Sequence, residues 1–222
     1  MSNSHTDSVV YLTKVTDALT LCLNGHSIRA ANHGKAIVVA NGGALTLTDC
    51  IGAGKLIHTS GYAGTGVCIL TDGTFTMYSG IITGNNSLDN SGGVYSGSNA
   101  TTCIYGGSIT YNEARQGSGV FAEPDNGVHL KGNVIIKNNG PVGTNDLLAN
   151  TTHYLDGSLD SSSEIGLSVP SSTADGMKLL QPEANYTIAS DDLDRFFFNN
   201  KSAGYVSKKA RQKVLTHRQQ NL

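Results

Sequence analysis

The chain has 222 residues, with 15 basic and 17 acidic side chains, 27 glycines, 4 prolines and no tryptophan. Glycine reaches about 12% against a usual ~7%, while charged residues make up only 14%, which excludes charge-driven disorder and, at this length, a multidomain enzyme. Many Gly, Asn, Ser and Thr with few Pro predict short strands joined by tight turns, and exclude long helices over most of the chain.

Residues 1–19 are predicted to cap one end of the fold. They lack the basic and long apolar stretches of a secretory leader, and no run of 18 apolar residues anywhere predicts a membrane span. From residue 20 to 170 the chain repeats itself. Gly66-Val67, Gly93-Val94 and Gly119-Val120 each open a segment of 26 to 27 residues that closes on Ile82-Thr83-Gly84-Asn85, Ile109-Thr110-Tyr111-Asn112 and Ile135-Ile136-Lys137-Asn138. One apolar column runs Leu23, Leu47, Met77, Ile104, Leu130, Leu155; a second, five residues on, runs Ile28, Ile82, Ile109, Ile135; a third, ten residues earlier, runs Ile37, Val67, Val94, Val120. Ile51-Gly52-Ala53-Gly54 reads as an insertion before Leu56-Ile57.

Three columns per repeat imply three inward-facing strands. Leu45-Thr46-Leu47-Thr48 and Phe75-Thr76-Met77-Tyr78 alternate with the period of a half-buried strand. Such a repeat buries an apolar face only when copies stack, so the fold class is all-β: a single-stranded parallel β-helix, a solenoid of about 26-residue coils with capped ends. Coils of this length with irregular turns predict the right-handed form. The column Asn85, Asn112, Asn138 is expected at a corner, where stacked amides hydrogen-bond from coil to coil. Residues 171–207, rich in aromatics from Tyr186 to Tyr205, are predicted to close the C-terminal end.

The last segment, 208–222, is a basic tail with Lys208, Lys209, Arg211, Lys213 and Arg218 and no acid. The body before it holds 10 basic and 17 acidic groups, which argues against a nucleic-acid groove. Cys22, Cys50, Cys68 and Cys103 have no C-x-x-C pair and no zinc spacing, and are read as separate thiols.

The stretches Leu21-Cys22-Leu23-Asn24-Gly25-His26-Ser27-Ile28, Gly42-Gly43-Ala44-Leu45-Thr46-Leu47-Thr48-Asp49-Cys50 and Gly73-Thr74-Phe75-Thr76-Met77-Tyr78-Ser79-Gly80-Ile81-Ile82-Thr83-Gly84-Asn85 resemble the right-handed β-helix repeats, pectate-lyase-like in fold, of large adhesin-type surface proteins of gut Gram-positive bacteria. The likeness runs from about Leu19 to Tyr205. It implies a secreted or cell-surface protein, its signal and anchor outside this chain, that is non-catalytic and meets a glycan or a surface protein as a monomer rather than a trimer. A phage-fibre-like shaft is a further alternative.

Pectin-cleaving β-helices need clustered carboxylates around calcium beside an arginine, or paired carboxylates at glycosidase separation. The weak catalytic candidates are Asp72, Glu123, Asp125 and Arg115, and calcium is the cofactor they would imply. Asp72, Asn99 and Asp125 form a polar row whose outer carboxylates stand about 9.6 Å apart at the spacing of stacked strands. Short polar residues also favour the turn before a strand, so the row reads as turns, with Asn99 a candidate ligand contact. No metal site is expected. His26, in Asn24-Gly25-His26, fails the pattern of a catalytic histidine. Tyr78 and Tyr105, 27 residues apart, are expected to stack outward on one face, where they pair across strands or receive a sugar ring.

Overall fold

In the computed structural model of the chain, residues 8–10, 13–141, 145–170, 177–183 and 185–198 are described; the basic tail and Tyr205 lie outside them. The strands come in threes. β1 (Ser8–Val10), β2 (Thr13–Val15) and β3 (Ala18–Cys22) form one coil; β4 (Ser27–Ala30), β5 (Ile37–Val39) and β6 (Ala44–Thr48) the next; and β7 (Lys55–His58), β8 (Val67–Ile69) and β9 (Thr74–Met77) a third. β10 (Ile81–Thr83) and β11 (Val94–Ser96) lead into β12 (Thr101–Thr110), then β13 (Val120–Ala122) into β14 (Val128–Lys137), and β15 (Leu147–Leu148) into β16 (His153–Leu159). β12 and β14 each serve two faces, because β12 pairs with β9 through its first half and β10 through its second. β17 (Glu164–Ser168), β18 (Leu180–Pro182), the short helix α1 (Ser190–Leu193) and β19 (Phe196–Phe198) follow. The strands pair in parallel with their counterparts one coil away, giving a β-solenoid of about six turns with three faces.

The alternation in the sequence becomes the wall of the solenoid. Met77, Ile104 and Leu130 are paired in one inward column and fully buried, and the column continues to Leu47 and Leu155. Ile37, Val67, Val94 and Val120 form the third column, extended by Leu147. The first column starts at Leu21, the partner of Leu47, rather than Leu23, since Leu23 already belongs to the turn in which the His26 N–H donates to its carbonyl.

A single β-bulge moves two other expected columns by one residue. Ile104 pairs with Leu130 but Gly106 pairs with Asn133, so β14 carries one residue more than β12 at this corner. Gly132 takes a φ of +71° there, the left-handed backbone in which glycine is unstrained. Beyond the bulge the partner of Ile109 is therefore Ile136, not Ile135, and the amide ladder is completed by Asn139, not Asn138.

That ladder is fully buried from Asn85 through Asn112 to Asn139. The Asn85 Nδ2 donates to Asn112 Oδ1 at 3.0 Å, and Asn112 Nδ2 to Asn139 Oδ1 at 3.0 Å. Each Oδ1 also accepts the backbone N–H of the asparagine one coil earlier. His58 Nδ1 meets Asn85 Oδ1 at one end, and Asn139 Nδ2 donates to Asp146 Oδ1 at the other. Asn138 is instead the exposed residue at φ +59°.

His153 plays a comparable part near the last coils. Its Nδ1 accepts the Val128 N–H at 3.1 Å, so its Nε2–H donates to the Leu148 carbonyl at 3.1 Å. Burial pushes its pKa from 6.5 down to about 4. The unfolded chain therefore binds a proton that the native state refuses between these values. Stability should be intact above pH ~6.5, fall as the pH drops toward 4, and level off for this group below that, a loss of about 3 kcal/mol. Urea titrations across that window measure the slope; a flat profile would remove the assignment.

Candidate functional site

The outer surface of the β9–β12–β14–β16 face carries two parallel rows, built by the same alternation that points their neighbours inward. Residues one position beyond the inward Met77, Ile104, Leu130 and Leu155 are Tyr78, Tyr105, Lys131 and Asp156. One position before them stand Thr76, Cys103, His129 and Tyr154, paired in register. In adjacent coils a row repeats at about 4.8 Å, so long side chains reach across one another.

Tyr78 is 52% exposed, and its ring lies 5.7 Å from that of Tyr105, tilted by 59°. The Lys131 ammonium sits 3.9 Å from the centroid of the Tyr105 ring, a cation–π contact. Past it, the Tyr105 hydroxyl donates to Asp156 Oδ2 at 2.6 Å, while His129 Nδ1 contacts Asp156 Oδ1 at 2.8 Å. Burial first, then the Asp156 acceptor, hold the Tyr105 phenol protonated well above its ordinary pKa of 10. The Asp156 carboxylate thus meets both the Tyr105 hydroxyl and the His129 ring. The His129 ring stacks on Tyr154 at 4.6 Å and 12°.

Glycine makes room for this stack. A Cβ on Gly127 would come within 2.0 Å of the Thr152 carbonyl oxygen and 2.5 Å of the Tyr154 ring, so Tyr154 lies directly over bare backbone. The strip therefore offers aromatic surface, one cation, one anion and one imidazole along an open face. Among the described residues two small recesses lie at corners: one of about 280 Å³ beside Tyr111, Asn86 and Glu113, and one of about 180 Å³ beside His33, Lys35 and Asp89. Both fall below the ~300 Å³ from which small-molecule sites usually begin.

Asp72, Asn99 and Asp125 all lie exposed in one repeated turn, with φ of 59°, 56° and 66°. Gly73 N–H closes that turn onto Leu70, Ala100 onto Gly97 and Asn126 onto Glu123, which accounts for Asp and Asn at the left-handed position. Glu123 accepts the Tyr95 hydroxyl at 2.6 Å, and Tyr95 is pushed up to about 12 by burial and by that carboxylate. Arg115 is placed at a different corner, its N–H on the Asp89 carbonyl. Among the described residues no three His, Cys, Asp or Glu side chains gather as a metal site.

Tyr78 and Tyr105 are brought together as the 27-residue spacing implies. Lys131, Asp156, His129 and Tyr154 were not among the sequence candidates, although the signal was present: each stands one residue to either side of the apolar column. No protein-family model, curated protein or solved structure matches the chain.

Proposed function

We propose that this β-solenoid is a non-catalytic, adhesin-like display module of a secreted or surface-anchored bacterial protein, and that it binds glycan along the Tyr78–Tyr105–Lys131–Asp156 strip. The observation that carries the reading is Tyr78, half exposed beside Tyr105 and continuous with a cation, a carboxylate and an imidazole on a flat face. A sugar ring needs an apolar platform and hydrogen-bonding groups at its rim, and the strip supplies both. The resemblance to surface β-helix repeats supports the same reading.

A glycan array followed by titration calorimetry tests it. Tyr78→Ala should weaken the best glycan by about tenfold, ~1.4 kcal/mol, while stability changes by less than about 0.5–1 kcal/mol, as expected at an exposed site. Silence across the array would favour a structural stalk, and a stable trimer by light scattering would favour a fibre component. The Tyr105–Asp156–His129 arrangement favours one second reading, a polysaccharide lyase or hydrolase. Release of unsaturated or reducing ends from uronate polysaccharides, abolished by Asp156→Asn, would replace the display module by that enzyme.

A further inference from the structure

The four cysteines are not all separate. Cys22 ends β3 and Cys50 follows β6 in the next coil, and the Cys50 N–H donates to the Cys22 Sγ at 3.3 Å. That contact brings the two cysteines together across adjacent coils. Cys50 is exposed and Cys22 partly so, whereas Cys68 and Cys103 are buried. We propose that Cys22 and Cys50 are a paired-thiol site that closes into an intercoil disulfide on meeting a low-molecular-weight disulfide.

The backbone around the pair is already fixed. Asp49 Oδ1 accepts the Gly25 N–H at 2.6 Å and Oδ2 the Gly54 N–H at 2.7 Å, and the Asp49 N–H donates to Ser79 Oγ at 2.6 Å. The segments bearing both cysteines are thus tied to each other and to the coil above, so closure asks mainly for side-chain rotation. The hydrogen bond from the Cys50 thiol, with help from the Cys50 N–H, lowers the Cys22 pKa and makes Cys22 the attacking thiolate.

The exchange balances without any further reagent. The Cys22 thiolate attacks one sulfur of the small disulfide, breaking its S–S bond; one small thiolate leaves and takes up a proton. Cys50 then gives its proton to solvent and attacks the Cys22 sulfur of the mixed disulfide. The Cys22–Cys50 bond forms and the second small thiol departs. The cysteine pair loses two electrons and the small disulfide gains them. Such a bond closes a segment of 28 residues and ties together the first two coils, and it persists in the oxidising surroundings of an extracellular protein.

The test uses the full reduced chain incubated with oxidised glutathione, acid-quenched, alkylated and digested with trypsin. Cleavage after Lys14, Arg29, Lys35 and Lys55 places Cys22 and Cys50 on separate peptides. The expected result is a cross-link joining these two peptides, with Cys68 and Cys103 unmodified, and a Tm about 5–10 °C above the reduced protein. Cys50→Ser should stop at a glutathione adduct on Cys22 and show no such rise. Glutathione on both cysteines without a cross-link, a bond between two chains, or no reaction at either thiol would each overturn the assignment. None of these outcomes depends on whether a glycan binds.

Discussion

A chain carrying Leu130→Asp is expected to lose its middle coils, with far-UV circular dichroism at neutral pH showing collapse of the strand signal. Leu130 is fully buried between Ile104 and Leu155 in the same column, so no water reaches the position. Removing the leucine alone forfeits about 2–5 kcal/mol, and a carboxyl group without a partner there adds the cost of desolvation. The sum exceeds ~5 kcal/mol and rivals the whole stability of a domain. Because each coil is held chiefly by its neighbours, the damage spreads to both sides. Leu130→Met, nearly equal in volume, should cost less than about 1.5 kcal/mol. Part of the loss caused by Leu130→Asp should return on acidification, since a buried acid is bound in its neutral form and the native state then holds the extra proton. A variant as stable as the parent at neutral pH would refute the inward column.

Replacing Asn112 by Leu should cost about 3–5 kcal/mol in guanidinium unfolding, without any apolar contact being lost. The Asn112 amide accepts from Asn85 N and Asn85 Nδ2, and donates to the Ile82 carbonyl and to Asn139 Oδ1. Leucine fills the space but leaves the Asn85 donors facing a hydrocarbon, each orphaned group costing about 1–3 kcal/mol. Asn112→Asp keeps the accepting oxygen and loses the donor, placing a carboxylate against Asn139 Oδ1; it should also destabilise strongly. Asn138 provides the contrast. Asn138→Gly should be near neutral, since only its left-handed φ matters, and Asn138→Ala should cost about 1–2 kcal/mol for that backbone alone. If Asn138 and Asn112 proved equally sensitive, the one-residue shift produced by the bulge would be wrong.

Most of the architecture was legible in the order of the residues. The recurrence of Val67, Val94 and Val120, and of Met77, Ile104 and Leu130, together with strict alternation around them, requires stacked coils: no single copy buries its apolar face, and alternation places every second side chain inside. The same alternation put Tyr78 beside Tyr105 on the outside. Turn chemistry was local as well, so Asp72, Asn99 and Asp125 were recognisable as turn residues before any contact was known.

What the order of residues left open is how much chain each corner consumes, and tertiary structure alone decided it. A bulge at Gly132 replaced Ile135 by Ile136 and Asn138 by Asn139, because fitting backbone against Tyr105 at that corner takes one extra residue, which even spacing does not reveal. Cys50 meets Cys22 across adjacent coils, its N–H on the Cys22 Sγ, although no motif links them. Asp156 lies 51 residues from Tyr105, a distance at which sequence pattern is silent, and it completes the strip only because successive coils stack at strand spacing and a phenol is long enough to reach across Lys131. Local periodicity thus determined that this chain is a solenoid; the three-dimensional register between coils, set by close backbone approach at the corners, determined which side chains meet.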